Sequence, residues 1–137
     1  MAGISTQLRT LVAARAHYRC EYCHSPQIVT AQTFHVDHVV PQSKDGATTA
    51  ANLCYSCPRC NLRKKDATAA IDPVTDTEVE LFHPRRHHWD AHFAWSPDLL
   101  EIVGKSAIGR ATVARLQLND NVLRQARVMW VKLKLLP

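Results

Sequence analysis

Two Cys-x-x-Cys pairs constrain this chain more than any other feature: Cys20 with Cys23, then Cys57 with Cys60. A Cys-x-x-Cys turn aims two thiolates at one point about 2.3 Å from a metal, and two such turns complete the tetrahedral set that zinc prefers. The pairs are separated by 33 residues, so a complete structural unit fits between them. Cys54 is evenly spaced with Cys57 and Cys60 and leaves a second ligand set open. Cys57 and Cys60 are favoured, because Cys54 follows Asn52 and Leu53 in an apolar stretch that suits a small buried thiol. Four sulfurs leave no open coordination position, so such a zinc site braces the fold and does no chemistry.

The rest of the composition permits a folded core. The chain has 137 residues, 46% of them apolar and 21% charged, which suits one domain with a small appended lobe and argues against wholesale disorder. Seventeen Lys and Arg against twelve Asp and Glu leave a net charge of +5, which is compatible with a polyanionic partner. The opening residues lack a basic start followed by an apolar stretch, and no apolar run approaches the ~18 residues of a membrane span. A cytoplasmic protein is expected, with no membrane partner and with cysteines that serve as metal ligands or free thiols.

Hydrophobic patterning places the motifs. A helix is expected over 5–16, capped by Ser5 or Thr6, with Leu8, Leu11 and Val12 as its apolar stripe. Residues 33–40 read as a strand ended by Pro41, and a turn follows over 43–46. A second extended segment covers 51–55, and a short basic helix covers 61–66. The texture changes after Asp72 and Pro73. Strands are expected over 77–82 and 101–103, and helices over 107–117 and 120–134. In the last helix, capped by Asp120, Val122, Leu123, Ala126, Met129, Trp130 and Leu133 share a face, read as core packing. The reading is an α+β fold with residues 1–72 as a core domain and 73–137 as an α/β extension packed on it.

Between the cysteine pairs lie His35, Asp37 and His38 with Val40, Pro41, Gln42 and Ser43, then Asn52, and then Asn61 directly after Cys60. This order and spacing resemble the HNH nuclease family, whose pattern is a carboxylate–histidine pair, a central asparagine, and a His or Asn opening a helix beside the second cysteine pair. The Val-Asp-His-Val-Val-Pro-Gln-Ser stretch is also similar to the HNH domain of CRISPR effector nucleases. The resemblance implies a strand–strand–helix metal core, DNA as substrate, and phosphodiester hydrolysis. It implies His38 as the general base, and Asp37 and Asn61 as holders of one divalent cation. Their oxygens suit Mg²⁺ or Mn²⁺, and a neutral imidazole takes a proton from water near neutral pH. Asn52 is expected to brace the loop or to orient the His38 ring. A regular strand puts Asp37 and His38 on opposite faces, so both meet one phosphate only where the strand bends or ends.

Arg59, Arg63, Lys64 and Lys65 cluster around Asn61 and are expected to grip flanking DNA phosphates. A Lys three residues past the helix Asn recurs in the resembled pattern, which gives Lys64 or Lys65 the better claim. Leu81 to Arg85, Trp89 to Trp95, Gly109 to Thr112, and Leu118 with Asn119 resemble the extension of small prokaryotic HNH endonuclease proteins. Arg85, Arg86, His87, His88 and His92 offer an extension of the DNA surface, and Trp89 and Trp95 read as anchors rather than base-stacking groups. The alternative function is a non-catalytic, zinc-braced nucleic-acid-binding module. That alternative gives no use to a carboxylate beside a general base. One metal centre cuts one strand at a time, so double-strand cleavage implies a homodimer or two encounters.

Overall fold

The computed structural model describes residues 3–135, so Met1, Ala2, Leu136 and Pro137 of the two expected domains lie outside it. The described chain is α+β, with three separate two-stranded antiparallel sheets. It divides into two compact units. One runs through Ala67 and regains the chain at His83–Arg86, and the other holds Thr68–Phe82 and the chain from His87 onward. The boundary expected at 72/73 falls inside a hairpin of the second unit, because residues on both sides of it pair as strands.

The first unit begins with α1 (Thr6–Arg15), where Ser5 accepts the Leu8 N–H as the N-cap. Val12 and Ala13 carry its burial, whereas Leu11 of the expected stripe is exposed. The next elements are β1 (His35–His38) and β2 (Leu53–Ser56), paired antiparallel with Asp37 opposite Cys54 and His38 opposite Leu53. β1 is shorter than the apolar run that predicts it, although Val39 N–H still donates to Asn52 O at 2.9 Å. α1 packs on both strands, and all of β2 is buried.

α2 (Pro58–Lys64) starts earlier than the expected 61–66. Cys57 is its N-cap and Pro58 takes the first helical position, where a missing N–H costs nothing. The second cysteine pair is therefore the first turn of the helix. Asn61 does not open α2 but sits one turn inside it, its N–H bonded to Cys57 O.

The second unit contains the hairpin β3 (Ala69–Ile71) and β4 (Glu78–Glu80), a single turn α3 (Trp89–His92), the pair β5 (Phe93–Trp95) and β6 (Ile102–Gly104), then α4 (Ala107–Leu116) and α5 (Asn121–Lys132). α4 packs against β3, β4 and β6. Gly109 permits this approach, since a Cβ there would lie 2.0 Å from His92 O. α5 is capped by Asp120 as expected. Its buried face is Leu123, Arg127 and Trp130, while Val122, Met129 and Leu133 are exposed. The Arg127 guanidinium fills the place an apolar side chain was expected to hold. It donates to Leu100 O, Leu118 O and Asn119 Oδ1 and lies 5.3 Å from the centre of the Trp95 ring.

Arg110 grips the buried Asp72 carboxylate through two parallel bonds of 2.9 and 2.8 Å. The guanidinium holds that carboxyl well below the usual carboxylate range, helped by Thr75 and the Val74 N–H. A folded-state value below the unfolded one stabilises the fold fully above about pH 4, and that contribution is lost as pH falls from there. Thermal unfolding followed by tryptophan fluorescence should therefore weaken on acidification below about pH 4. Arg110→Met should flatten that slope, and an equal slope in the variant would contradict the assignment.

Candidate active site

Cys20, Cys23, Cys57 and Cys60 are all buried, and their sulfurs lie within 4.8 Å of one another. Cys23 Sγ and Cys57 Sγ are 3.6 Å apart. A tetrahedron with 2.3 Å metal–sulfur bonds has edges of about 3.8 Å, so the spacing fits zinc. Burial pushes the Cys20 thiol well above its usual range, while hydrogen bonds from the neighbouring sulfurs hold Cys23 well below it. Cys54 is outside the cluster, with its sulfur 3.7 Å from the Tyr22 hydroxyl and its thiol pushed up to about 12 by burial.

The first cysteine turn is tied to the sheet by Glu21. That carboxylate accepts the Tyr55 N–H at 2.8 Å and pairs with Arg85. Arg85 is thus held within its own unit and does not extend a DNA surface. His87 and His92 are likewise engaged, by Glu80 and by Ser106. Trp89 stacks near Phe93 and Trp95 within the second unit.

The path of α2 decides which groups meet over β1. β2 ends at Ser56, opposite His35, and α2 starts directly afterwards. By its last residue the helix has travelled back along β1, because Lys64 Nζ donates to Val39 O at 2.8 Å. Asn61 lies one turn before Lys64 on the same helix face, so it is carried over the middle of β1. Its carboxamide has no hydrogen-bond partner among the described residues. Asp37 lies on this face of the strand, with Cys54 opposite and Lys64 close enough to act on its charge. Burial raises the Asp37 carboxyl from its ordinary value, opposed by Lys64 and by the His38 N–H. A part-buried carboxylate and an unengaged carboxamide are each oxygen donors of the kind a hard divalent cation takes.

Lys64 departs from expectation. Its side chain is 1% exposed and its ammonium is bonded to a strand carbonyl, so it grips no flanking phosphate. Burial lowers its pKa, and Asp37 opposes that shift. Lys65 is exposed just past the helix, while Arg59 and Arg63 are half-buried. Lys44, which patterning did not single out, joins the exposed basic groups and donates to Asp66 O at 2.9 Å.

His38 ends β1, on the opposite side of the strand from Asp37. Its Nε2 lies 2.8 Å from Thr48 Oγ1, which also accepts from the Gln42 amide at 3.3 Å. Thr48 was not foreseen, because only the loop fold brings residue 48 back to residue 38. Asn52 makes that fold. Its Oδ1 accepts the Val40 N–H, and its Nδ2 donates to Val40 O and Ala47 O, each at 2.9 Å. It braces the loop and leaves the His38 ring to Thr48. Gly46 completes the closure, since a Cβ there would lie 1.7 Å from Val40 O. Asn52→Ala should destabilise the first unit by about 3 kcal/mol, because it strands a partly buried N–H and two carbonyls. Urea unfolding read by tyrosine near-ultraviolet dichroism measures this, and an unchanged midpoint would remove the bracing role.

Residues 20–67 form a segment that matches the family described as HNH endonuclease. Its limits run from the first zinc-site cysteine to the end of the first unit's main segment. The chain is also similar to a CRISPR-associated endonuclease Cas9 from Corynebacterium diphtheriae (strain ATCC 700971 / NCTC 13129 / Biotype gravis), with 34% identity over 80 residues. That match covers 55% of this chain and 7% of the relative, so the chain corresponds to a small part of that protein. No solved structure matches. No helix among the described residues is long and apolar enough to cross a membrane.

Proposed function

We propose that this chain is a metal-dependent endonuclease that hydrolyses DNA phosphodiester bonds, with His38 as general base and with Asp37 and Asn61 holding one divalent cation. The observation that carries this reading is the juxtaposition on β1. A part-buried Asp37 lies within electrostatic reach of Lys64 of α2, one turn after the unengaged Asn61 amide on the same helix, and His38 follows Asp37 at the strand's end. When bound, Mg²⁺ or Mn²⁺ supplies Lewis-acid stabilisation of charge on the phosphate and the leaving oxygen. His38 acts on water. Thr48 Oγ1 receives the Gln42 amide and lies 2.8 Å from His38 Nε2; in the tautomer with Nε2–H donating to Thr48, Nδ1 is the proton acceptor. Lys64 holds the end of α2 against Val39 and thereby fixes the height of Asn61 above the strand.

DNA contacts outside the centre fall to Lys65, Arg59 and Arg63, with Lys44 added. The zinc cluster starts the helix that carries Asn61 and takes no part in the chemistry. A purely nucleic-acid-binding module would gain nothing from burying a carboxylate beside a free carboxamide, which favours the enzyme. One centre per chain implies that each encounter breaks one strand, and the reading does not require a second copy. The test is incubation with supercoiled, linear and single-stranded DNA in Mg²⁺ or Mn²⁺, with and without chelator. Metal-dependent conversion of supercoiled plasmid to open circles is expected. Absence of cleavage with every metal, by zinc-replete protein, would overturn the proposal.

A further inference from the structure

The face of β1 that bears Asp37 carries a second metal-binding side chain. His35 lies two residues earlier, so strand alternation puts its ring on the same face, about 7 Å along. The residue is exposed, and its ring has no hydrogen bond among the described residues. It is close enough for its charge to be felt by the Asp37 carboxylate. His38, by contrast, points to the other side and is engaged by Thr48.

The course of α2 brings the third group to this spot. The helix begins beside Ser56, the ladder partner of His35, and ends at Val39. Asn61 is therefore carried over the stretch that His35 and Asp37 flank. Three donors of different type, an imidazole nitrogen, a carboxylate oxygen and an amide oxygen, come from one strand face and the helix above it. We propose that His35 is a third protein ligand of the cation held by Asp37 and Asn61, and that it tilts the centre toward imidazole-binding metals such as Co²⁺ and Ni²⁺ over Mg²⁺.

The chemistry follows from ligand softness. Mg²⁺ takes oxygen donors and keeps its waters, so an added imidazole contributes little to holding it. Co²⁺ and Ni²⁺ bind imidazole well and lie higher in the affinity order. The inference rests on the proposed Asp37–Asn61 centre, and the experiment separates the two. Calorimetry would measure Ni²⁺ and Mg²⁺ binding to zinc-replete protein, with zinc content checked for every variant. His35→Asn should weaken Ni²⁺ binding by at least about 10-fold and leave Mg²⁺ binding unchanged, as expected for loss of a nitrogen ligand. Because His35 is exposed, this variant is expected to fold.

His38→Ala should leave Ni²⁺ affinity intact. If His38→Ala lowers it and His35→Asn does not, His35 is not the ligand. If Asp37→Asn weakens both metals while His35→Asn changes neither, the centre stands and the His35 proposal falls. If Asp37→Asn, Asn61→Ala and His35→Asn all bind both metals as the parent protein does, the centre itself fails, and His35 with it.

Discussion

Replacing His38 with alanine should slow plasmid nicking by about 10²- to 10⁴-fold, the usual contribution of a positioned general base. The comparison is a single-turnover rate in saturating Mg²⁺ or Mn²⁺. The half-buried ring makes one side-chain hydrogen bond, to Thr48, so the stability change should stay within about 1 kcal/mol. Zinc content should not change, because His38 ends β1 and is no part of the cysteine cluster. Thr48→Val keeps the imidazole and removes its orienting oxygen. About 10-fold of the rate should then be lost, as for a positioning group whose partner still acts. A His38→Ala protein that nicks at the parental rate would end the assignment of the base. Parental nicking in Thr48→Val would leave the base in place and remove only its orientation by Thr48.

How much of this could be read in advance depends on the range of the interactions. The cysteine ligands were legible because each pair makes its own turn, and geometry within four residues sets the sulfur positions. Asp37, His38, Asn52 and Asn61 were singled out by a resemblance in order and spacing, whereas their surroundings were not foreseen. Nothing near residue 64 in the chain announces that its ammonium ends on Val39 O, so a basic run read as solvated hides one buried member. Arg127 is the same case in the second unit, since Leu100 and Leu118 supply its acceptors from other elements. β3 and β5 were not foreseen, and the α3 turn is shorter than any helical repeat. α2 was placed late because a Cys-x-x-Cys turn and a proline-started helix look alike in sequence when one is the first turn of the other.

Cys23→Ser should abolish zinc binding and prevent the first unit from folding. Structural zinc contributes an apparent 10–16 kcal/mol in small domains, roughly as much as the entire 5–15 kcal/mol stability of a typical one. Nothing else in this unit replaces that amount, since its sheet has two strands and α2 has two turns. Cys23 is fully buried, 3.6 Å from Cys57 Sγ, and the hydroxyl of serine is a poor substitute for a thiolate at that position. The effect reaches the proposed centre through the chain itself. Cys57 caps α2, Cys60 lies in its first turn, and Asn61 is the next residue. Loss of the cluster therefore removes the element that carries a metal ligand. The aromatic residues make the outcome readable by unit: Tyr18, Tyr22 and Tyr55 all belong to the first, and Trp89, Trp95 and Trp130 to the second. Tyrosine near-ultraviolet dichroism should collapse in Cys23→Ser, and in the parent protein after zinc extraction by a strong chelator. Readdition of zinc should restore it in the parent and not in the variant. A soluble Cys23→Ser protein with one zinc per chain and the parental tyrosine spectrum would show that the cluster does not hold this unit together.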